Sequence, residues 1–365
     1  MAQNMAQTEN HSGFSHSAPI EIIQLYRAIA AIAVFMYHAY IFSNAFLLIK
    51  SPDWFRFIFG HGKYGVDFFF TLSGFIILNA HYQDQDTLAS SKRYALKRGI
   101  RIFPAYLPIS IISLIVYSLD PNIGLKTKEN ISIISSLFLI PSSGHPALSA
   151  AWTLIHETIF YTIFLAYFFW RKAFFAIIGL WALIMALNVL LPLGLASNAV
   201  SAKVLSPINL EFIGGLICAF VWRRVNAGTA TGIALLLSGV AGLVVVVGTG
   251  FITNVHHRWI LGIPFALILL GGCYLEKGRG LNMPRPALAL GDASYALYLI
   301  HAPLISVMFR VVPGINRSLG ALGPAAEWAV TVSLTAGLCI LAALLYHRLY
   351  ERPVLSFLHA RMLSP

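Results

Sequence analysis

The stretch ATGIALLLSGVAGLVVVVGTGF, residues 230–251, contains no ionisable side chain. As a helix rising 1.5 Å per residue it would reach about 33 Å, enough to cross the roughly 30 Å hydrocarbon core of a bilayer. Lipid offers no hydrogen bonds to backbone amides, so a spanning segment must be a helix or a strand of a closed barrel. Barrel strands alternate apolar and polar residues over about ten positions. This run does not alternate, which leaves the helix.

Nine further runs read the same way, near residues 24–48, 64–81, 103–119, 152–170, 173–191, 207–222, 259–275, 288–309 and 326–347. The expected fold is therefore all-α, a polytopic membrane helix bundle of about ten transmembrane helices. Ile131 to Ile140 is too short to span and reads as a re-entrant or interfacial segment. Composition agrees: 58% of the 365 residues are hydrophobic and 11% charged, where soluble domains carry about 25% charged residues. Residues 1–19 are small and polar, with no basic stretch leading into an apolar core, and read as a disordered cytoplasmic tail. Residues 20–355 form the transmembrane domain, and 356–365 a short cytoplasmic tail.

The net charge of +11 does not point to nucleic acid, because the basic residues lie in short loops between apolar runs. With the N-terminus inside, fifteen Lys and Arg fall in inner loops, Arg27 sits at the inner end of the first helix, and nine lie outside. That bias puts both termini in the cytoplasm. Cys218, Cys273 and Cys339 all lie in apolar runs and read as small packing residues, with neither a disulfide framework nor a zinc spacing. No metal site is expected.

Ionisable residues within spans mark function by default. Arg27 and His38 are eleven residues apart, about 16 Å and three turns, so they share one helix face. That geometry suits a phosphate held at the inner mouth and chemistry deeper in. Each also has a structural reading, Arg27 snorkelling and His38 bonding a neighbouring helix. Asp67 opens the second span at its outer end, where a carboxylate also favours the helix dipole, and Ser73 and Gly74 permit close helix approach. Arg98 and Arg101, at i and i+3, face one way at the inner start of the third span, suited to phosphate or to plain anchoring. In Trp152-Thr-Leu-Ile-His156-Glu157-Thr-Ile-Phe-Tyr161, Glu157 and Tyr161 are i and i+4 and can act together. A zinc-protease His-Glu-x-x-His is excluded, because position 160 is Phe. Glu157 is the expected partner of His38. Glu211 lies early in the sixth span, and Asp292, Tyr295, Tyr298 and His301 lie on the ninth.

Taken together these motifs resemble the membrane-bound acyltransferase-3 family. The matching residues are Arg27 with His38 (the family's Arg-x10-His), Gly65-Val-Asp-Phe-Phe-Phe-Thr-Leu-Ser-Gly-Phe75, Arg98-x-x-Arg101, Trp152-Thr-Leu to Glu157 with Phe160-Tyr161, and Gly291-Asp-Ala-Ser-Tyr-Ala-Leu-Tyr-Leu-Ile-His301. The resemblance spans residues 20 to 355. Glu21-Ile-Ile-Gln-Leu-Tyr-Arg27 and Asn209-Leu-Glu-Phe-Ile-Gly-Gly215 look most like the exopolysaccharide-decorating branch. His156 departs from the pattern, which has a small or aromatic polar residue there. The esterase-like C-terminal domain of some members is not in this sequence.

The resemblance implies an O-acyltransferase (EC 2.3.1.-) of the bacterial inner membrane. Its donor substrate would be acyl-CoA, usually acetyl-CoA, with no permanently bound cofactor. Its acceptor would be a hydroxyl of an extracytoplasmic polysaccharide or lipid-linked sugar, with a macrolide or other small molecule as a variant. A polysaccharide synthase or a separate acyltransferase is an expected partner, and membrane lipid surrounds the bundle. Arg98, Arg101 and Arg27 would hold the donor's phosphates. His38 would be the catalytic imidazole, as base or as acyl carrier, oriented by Glu157. Asp67, Ser73, Trp152, Tyr161, Glu211 and His301 would line or support the substrate site. Two other classes fit parts of the pattern: a proton-coupled small-solute transporter using the buried His and carboxylates as a relay, and a structural partner of a synthase in which His38 is dispensable.

Overall fold

The computed structural model describes residues 20–119, 130–191 and 193–363, without the side chains of residues 255 and 256. The N-terminal tail, Lys126, Lys128 and the side chain of His256 lie outside what is described. About 81% of the chain is helical, and the described residues contain no β-strand, only an isolated bridge between Ile131 and His145.

The helices are α1 Glu21–Phe46, α2 Asp53–Phe59, α3 Gly65–His81, α4 Leu88–Leu119, α5 Ile133–Phe138, α6 Ala151–Phe164, α7 Arg171–Leu190, α8 Ala199–Val204, α9 Leu210–Arg224, α10 Thr229–Gly248, α11 Gly262–Arg279, α12 Arg285–Asp292, α13 Ser294–Leu319, α14 Pro324–Tyr346 and α15 Arg352–Met362. All ten expected spans are helical. Eight helical stretches are long and apolar enough to cross a membrane by themselves. The other two, α3 with 17 residues and α6 with 14, are shorter. A turn of 3-10 helix, Leu165–Phe168, lengthens α6. Segment 131–140 does not span: α5 has six residues and is capped by the Ser132 side chain. The stretch expected as a C-terminal tail is helical to Met362, and a π turn, His347–Glu351, joins it to α14.

Burial follows the logic of a lipid solvent. Helix α10 turns Leu237, Val244 and Val245 outward, whereas Asp67, His156, Glu211, His301 and Glu351 are buried. Helix α3 packs closely on α9, α10 on α11, and α1 on α3, α12 and α13. The α3–α9 crossing depends on Gly74 and Gly215. A Cβ on Gly74 would overlap the Phe212 carbonyl oxygen, and one on Gly215 would overlap that of Thr71. Contact between small residues lets backbones approach and replaces the hydrophobic force that lipid withholds from helix association.

Prolines loosen α4 where it faces the site. Pro108 has no N–H for the carbonyl of Pro104, four residues back. The Tyr350 hydroxyl donates to that carbonyl at 3.2 Å, and the Tyr346 hydroxyl donates to Ala105 O at 2.8 Å. These bonds fix the end of α14 and the π turn beside the middle of α4.

Candidate active site

Two adjoining cavities run through the middle of the bundle. The first, of about 170 Å³, opens towards the end where the charge bias places the cytoplasm. Arg27, Arg98, Arg101, Ser73, Glu157 and Tyr161 line it. The second, of about 210 Å³, lies towards the opposite end and is lined by His38, His301, Trp152, Lys63 and Arg258. Each is far larger than the 10–15 Å³ that admits one water molecule. Val66 and Tyr298 border both. The Tyr298 hydroxyl is 2.7 Å from the Thr153 hydroxyl and 3.5 Å from Ala150 O. This phenol is the partition between the two spaces. Arg27 lines the first chamber and His38 the second, with Tyr298 where they adjoin.

In the inner chamber, Arg27 donates to Gln24 Oε1 at 3.1 Å. The Arg98 guanidinium lies 5.5 Å from the ring centres of both Tyr94 and Tyr161. Its Nη2 is 3.2 Å from His81 Nε2, whose ring in turn meets Asp84 through Nδ1 at 2.7 Å. Arg101 differs, donating to the buried Glu351 at 2.7 Å and lying over the Tyr295 ring at 5.1 Å. His347 Nδ1 contacts the other oxygen of Glu351 at 2.9 Å. Of the two arginines in the Arg-x-x-Arg pair, Arg98 keeps its charge free of any carboxylate among the described residues.

Glu157 is not beside His38. Its carboxylate accepts from the Tyr161 hydroxyl and from Ser73 Oγ, the latter at 3.2 Å, and faces the inner chamber. Trp152, five residues earlier on the same helix, faces the outer chamber. Five residues are about 7.5 Å of helix rise, so Glu157 lies too deep to orient His38. Helix α6 runs past the partition, and a residue's depth on it decides which chamber it meets.

His38 is oriented from its own helix. Nδ1 lies 2.8 Å from the Val34 carbonyl, four residues back, and a carbonyl can only accept, so Nδ1 carries the proton. Nε2 is then the nitrogen with the lone pair. The His301 ring stands edge-on to His38 at 4.9 Å, with its own Nδ1 3.1 Å from Leu297 O and its Nε2 buried without a partner. Tyr298 lies 5.7 Å from His301.

Asp67 and Glu211 line neither chamber. Asp67 is fully buried behind Arg258, which donates to it through Nε at 3.0 Å and through Nη2. Glu211, also fully buried, finds no conventional donor for either oxygen. A carboxylate pair with one cation holds together if Glu211 carries a proton and shares it with Asp67. His156 is structural as well: Nδ1 meets Asn209 Oδ1 at 2.9 Å, and the Asn209 amide donates to the Lys203 and Val204 carbonyls. The departure at position 156 thus ties α6 to the turn that opens α9. Sequence reasoning missed Arg258, Lys63 and Thr153 as site residues. Arg258 was legible indirectly, since two carboxylates at the outer end of the bundle require a cation there.

The chain is 30% identical over 329 residues to the exopolysaccharide production protein ExoZ of Rhizobium meliloti (strain 1021), covering 83% of this chain and 92% of that protein. No solved structure matches it. The family profile described as an acyltransferase domain matches residues 20–347. With nine-tenths of its length inside that profile, the chain belongs to the acyltransferase-3 family and is a multi-pass membrane acyltransferase.

Proposed function

We propose that the protein moves an acyl group, in the simplest case acetyl, from cytoplasmic acyl-CoA to a hydroxyl of an exopolysaccharide or its lipid-linked precursor at the bacterial inner membrane. The observation that carries this reading is the division of labour between the chambers. Guanidinium groups collect at the inner one, and an imidazole with a free Nε2 waits in the next. The printed name of the relative, an exopolysaccharide production protein, supports the choice of acceptor.

In this reading Arg98 and Arg27 hold the phosphates of the donor at the inner mouth, with charge-assisted bonds suited to phosphate oxygens. The thin pantetheine arm extends up the inner chamber, and displacement of the Tyr298 hydroxyl from Thr153 lets the thioester reach His38. His38 Nε2 takes the proton of the acceptor hydroxyl as the oxygen attacks the thioester carbonyl. The C–O bond forms, the C–S bond breaks, and the sulfur leaves as the thiol with the proton returned by His38. Since Nδ1 is anchored to Val34, imidazolium formation needs no ring reorientation. A proton-relay transporter would have no use for the unpaired Arg98 at the inner mouth.

The test is His38→Ala in detergent-solubilised membranes, where both faces of the protein are accessible, given radiolabelled acetyl-CoA and de-O-acylated exopolysaccharide. Loss of a general base lowers the rate about 10²–10⁴-fold. Label transfer at the wild-type rate, with equal protein in the membrane, overturns the proposal.

A further inference from the structure

The outer chamber is basic on every side that carries charge. Lys63 and Arg258 both line it with His38 and His301, and among the described residues no acidic side chain faces it. Asp67 and Glu211 are fully buried and line neither chamber, and Asp67 is occupied by the Arg258 guanidinium. Lys63 has no ion pair among the described residues; its ammonium lies 5.2 Å from the Tyr64 ring. Among the described residues one cation is therefore left over, in the half-enclosed space it lines together with His38.

The position of Lys63 is built in. It sits in a single 3-10 turn, Gly62–Tyr64, pressed against α1. A Cβ on Gly62 would overlap the Ala33 carbonyl oxygen and come within 3.1 Å of Tyr37 Cβ. Tyr37 immediately precedes His38, so this contact sets Lys63 at the level of the reacting imidazole. Arg258 Nη2 reaches the Lys63 carbonyl at 3.5 Å and closes the turn from the other side. Trp152 and Tyr37 also line the chamber and supply aromatic faces of the kind that pack against sugar rings.

Resting on the acyltransferase reading above, we infer that the acceptor is an anionic saccharide, whose carboxylate or phosphate pairs with Lys63 while its hydroxyl faces His38. An oxyanion there would complete the charge balance of the chamber, and an unpaired cation held in a partly dehydrated cleft is a poor resting state without one. The same chemistry can come from an acidic sugar or from the diphosphate of a lipid carrier.

The experiment compares matched acceptors with the full-length protein in detergent micelles, where both chambers are accessible, and radiolabelled acetyl-CoA. One is a neutral β-glucan tetrasaccharide. The second is the same tetrasaccharide oxidised at its terminal C6 to the uronate, and the third is the neutral tetrasaccharide on a short-chain prenyl diphosphate. An ion pair in a partly solvated cleft gives a preference of about fivefold in kcat/KM. We expect the uronate or the diphosphate acceptor to exceed the neutral one by that factor, the better of the two identifying the source of the charge. Lys63→Gln should bring the ratio close to one and Lys63→Arg should keep it. Equal use of all three acceptors by the wild type, or a ratio unchanged by Lys63→Gln, overturns the inference while leaving acyl transfer standing. Absence of label in every acceptor overturns the acyl-transfer reading and this inference with it.

Discussion

The Asp67–Arg258 pair offers a quantitative test of how the outer half of the site is assembled. Asp67 is fully buried, and the Arg258 side chain retains 11% exposure. At the 3.0 Å separation of Arg258 Nε and Asp67 Oδ1, an effective dielectric of about 20 gives an attraction of roughly 5 kcal/mol. Desolvation offsets most of that when the pair forms, so its net worth is small, whereas removing one partner strands the other at a cost of about 3–5 kcal/mol. The two removals are not equivalent. Arg258→Gln leaves the buried Asp67–Glu211 carboxylate pair with no cation beside it. Asp67→Asn leaves only Arg258, which can turn towards the chamber. Arg258→Gln should therefore be the more destabilising. The double variant should recover about 2 kcal/mol or more relative to the sum of the singles. Unfolding in mixed micelles, titrated with SDS and followed by tryptophan fluorescence, gives the three free energies. Strict additivity, or an Asp67→Asn penalty larger than that of Arg258→Gln, would refute the pairing as the reason for Asp67.

The inner chamber and the helix crossing give two further expectations. Arg98→Ala should raise the KM for acetyl-CoA about tenfold or more with expression intact. Arg101→Ala should act mainly by lowering the amount of folded protein, because it strands the buried Glu351; competition binding with coenzyme A and detergent melting curves separate the two effects. Gly74→Ala forces a Cβ into the Phe212 carbonyl and should cost at least the 1–3 kcal/mol typical of overpacking, whereas Ala at Gly99, which faces open space, should be tolerated in the same melting assay.

Much of the candidate site was legible in the sequence because spacing on one helix is local information. Arg27 and His38 share a face of α1 by helical arithmetic. Glu157 and Tyr161 bond at i and i+4 as expected, and Gly74 marks a close crossing. The expected Glu157–His38 contact failed for a physical reason that the motif does not contain. Two residues on different helices meet only at equal depth, and depth is set by how α6 slides against α1. Likewise Arg101 reads as the twin of Arg98 until Glu351, 250 residues away, arrives beside it.

The sequence by itself determined the class of molecule, an all-α polytopic bundle, and where its apolar helices lie, since the free energy of placing a side chain in lipid is summed along a contiguous run and needs no knowledge of neighbours. Only the tertiary structure decided which polar groups share a space: the two chambers, the phenol between them, the cation beside Asp67, and Lys63 lining the same chamber as His38. Those pairings depend on rotation and register among packed helices, which arise from contacts between residues distant in the chain.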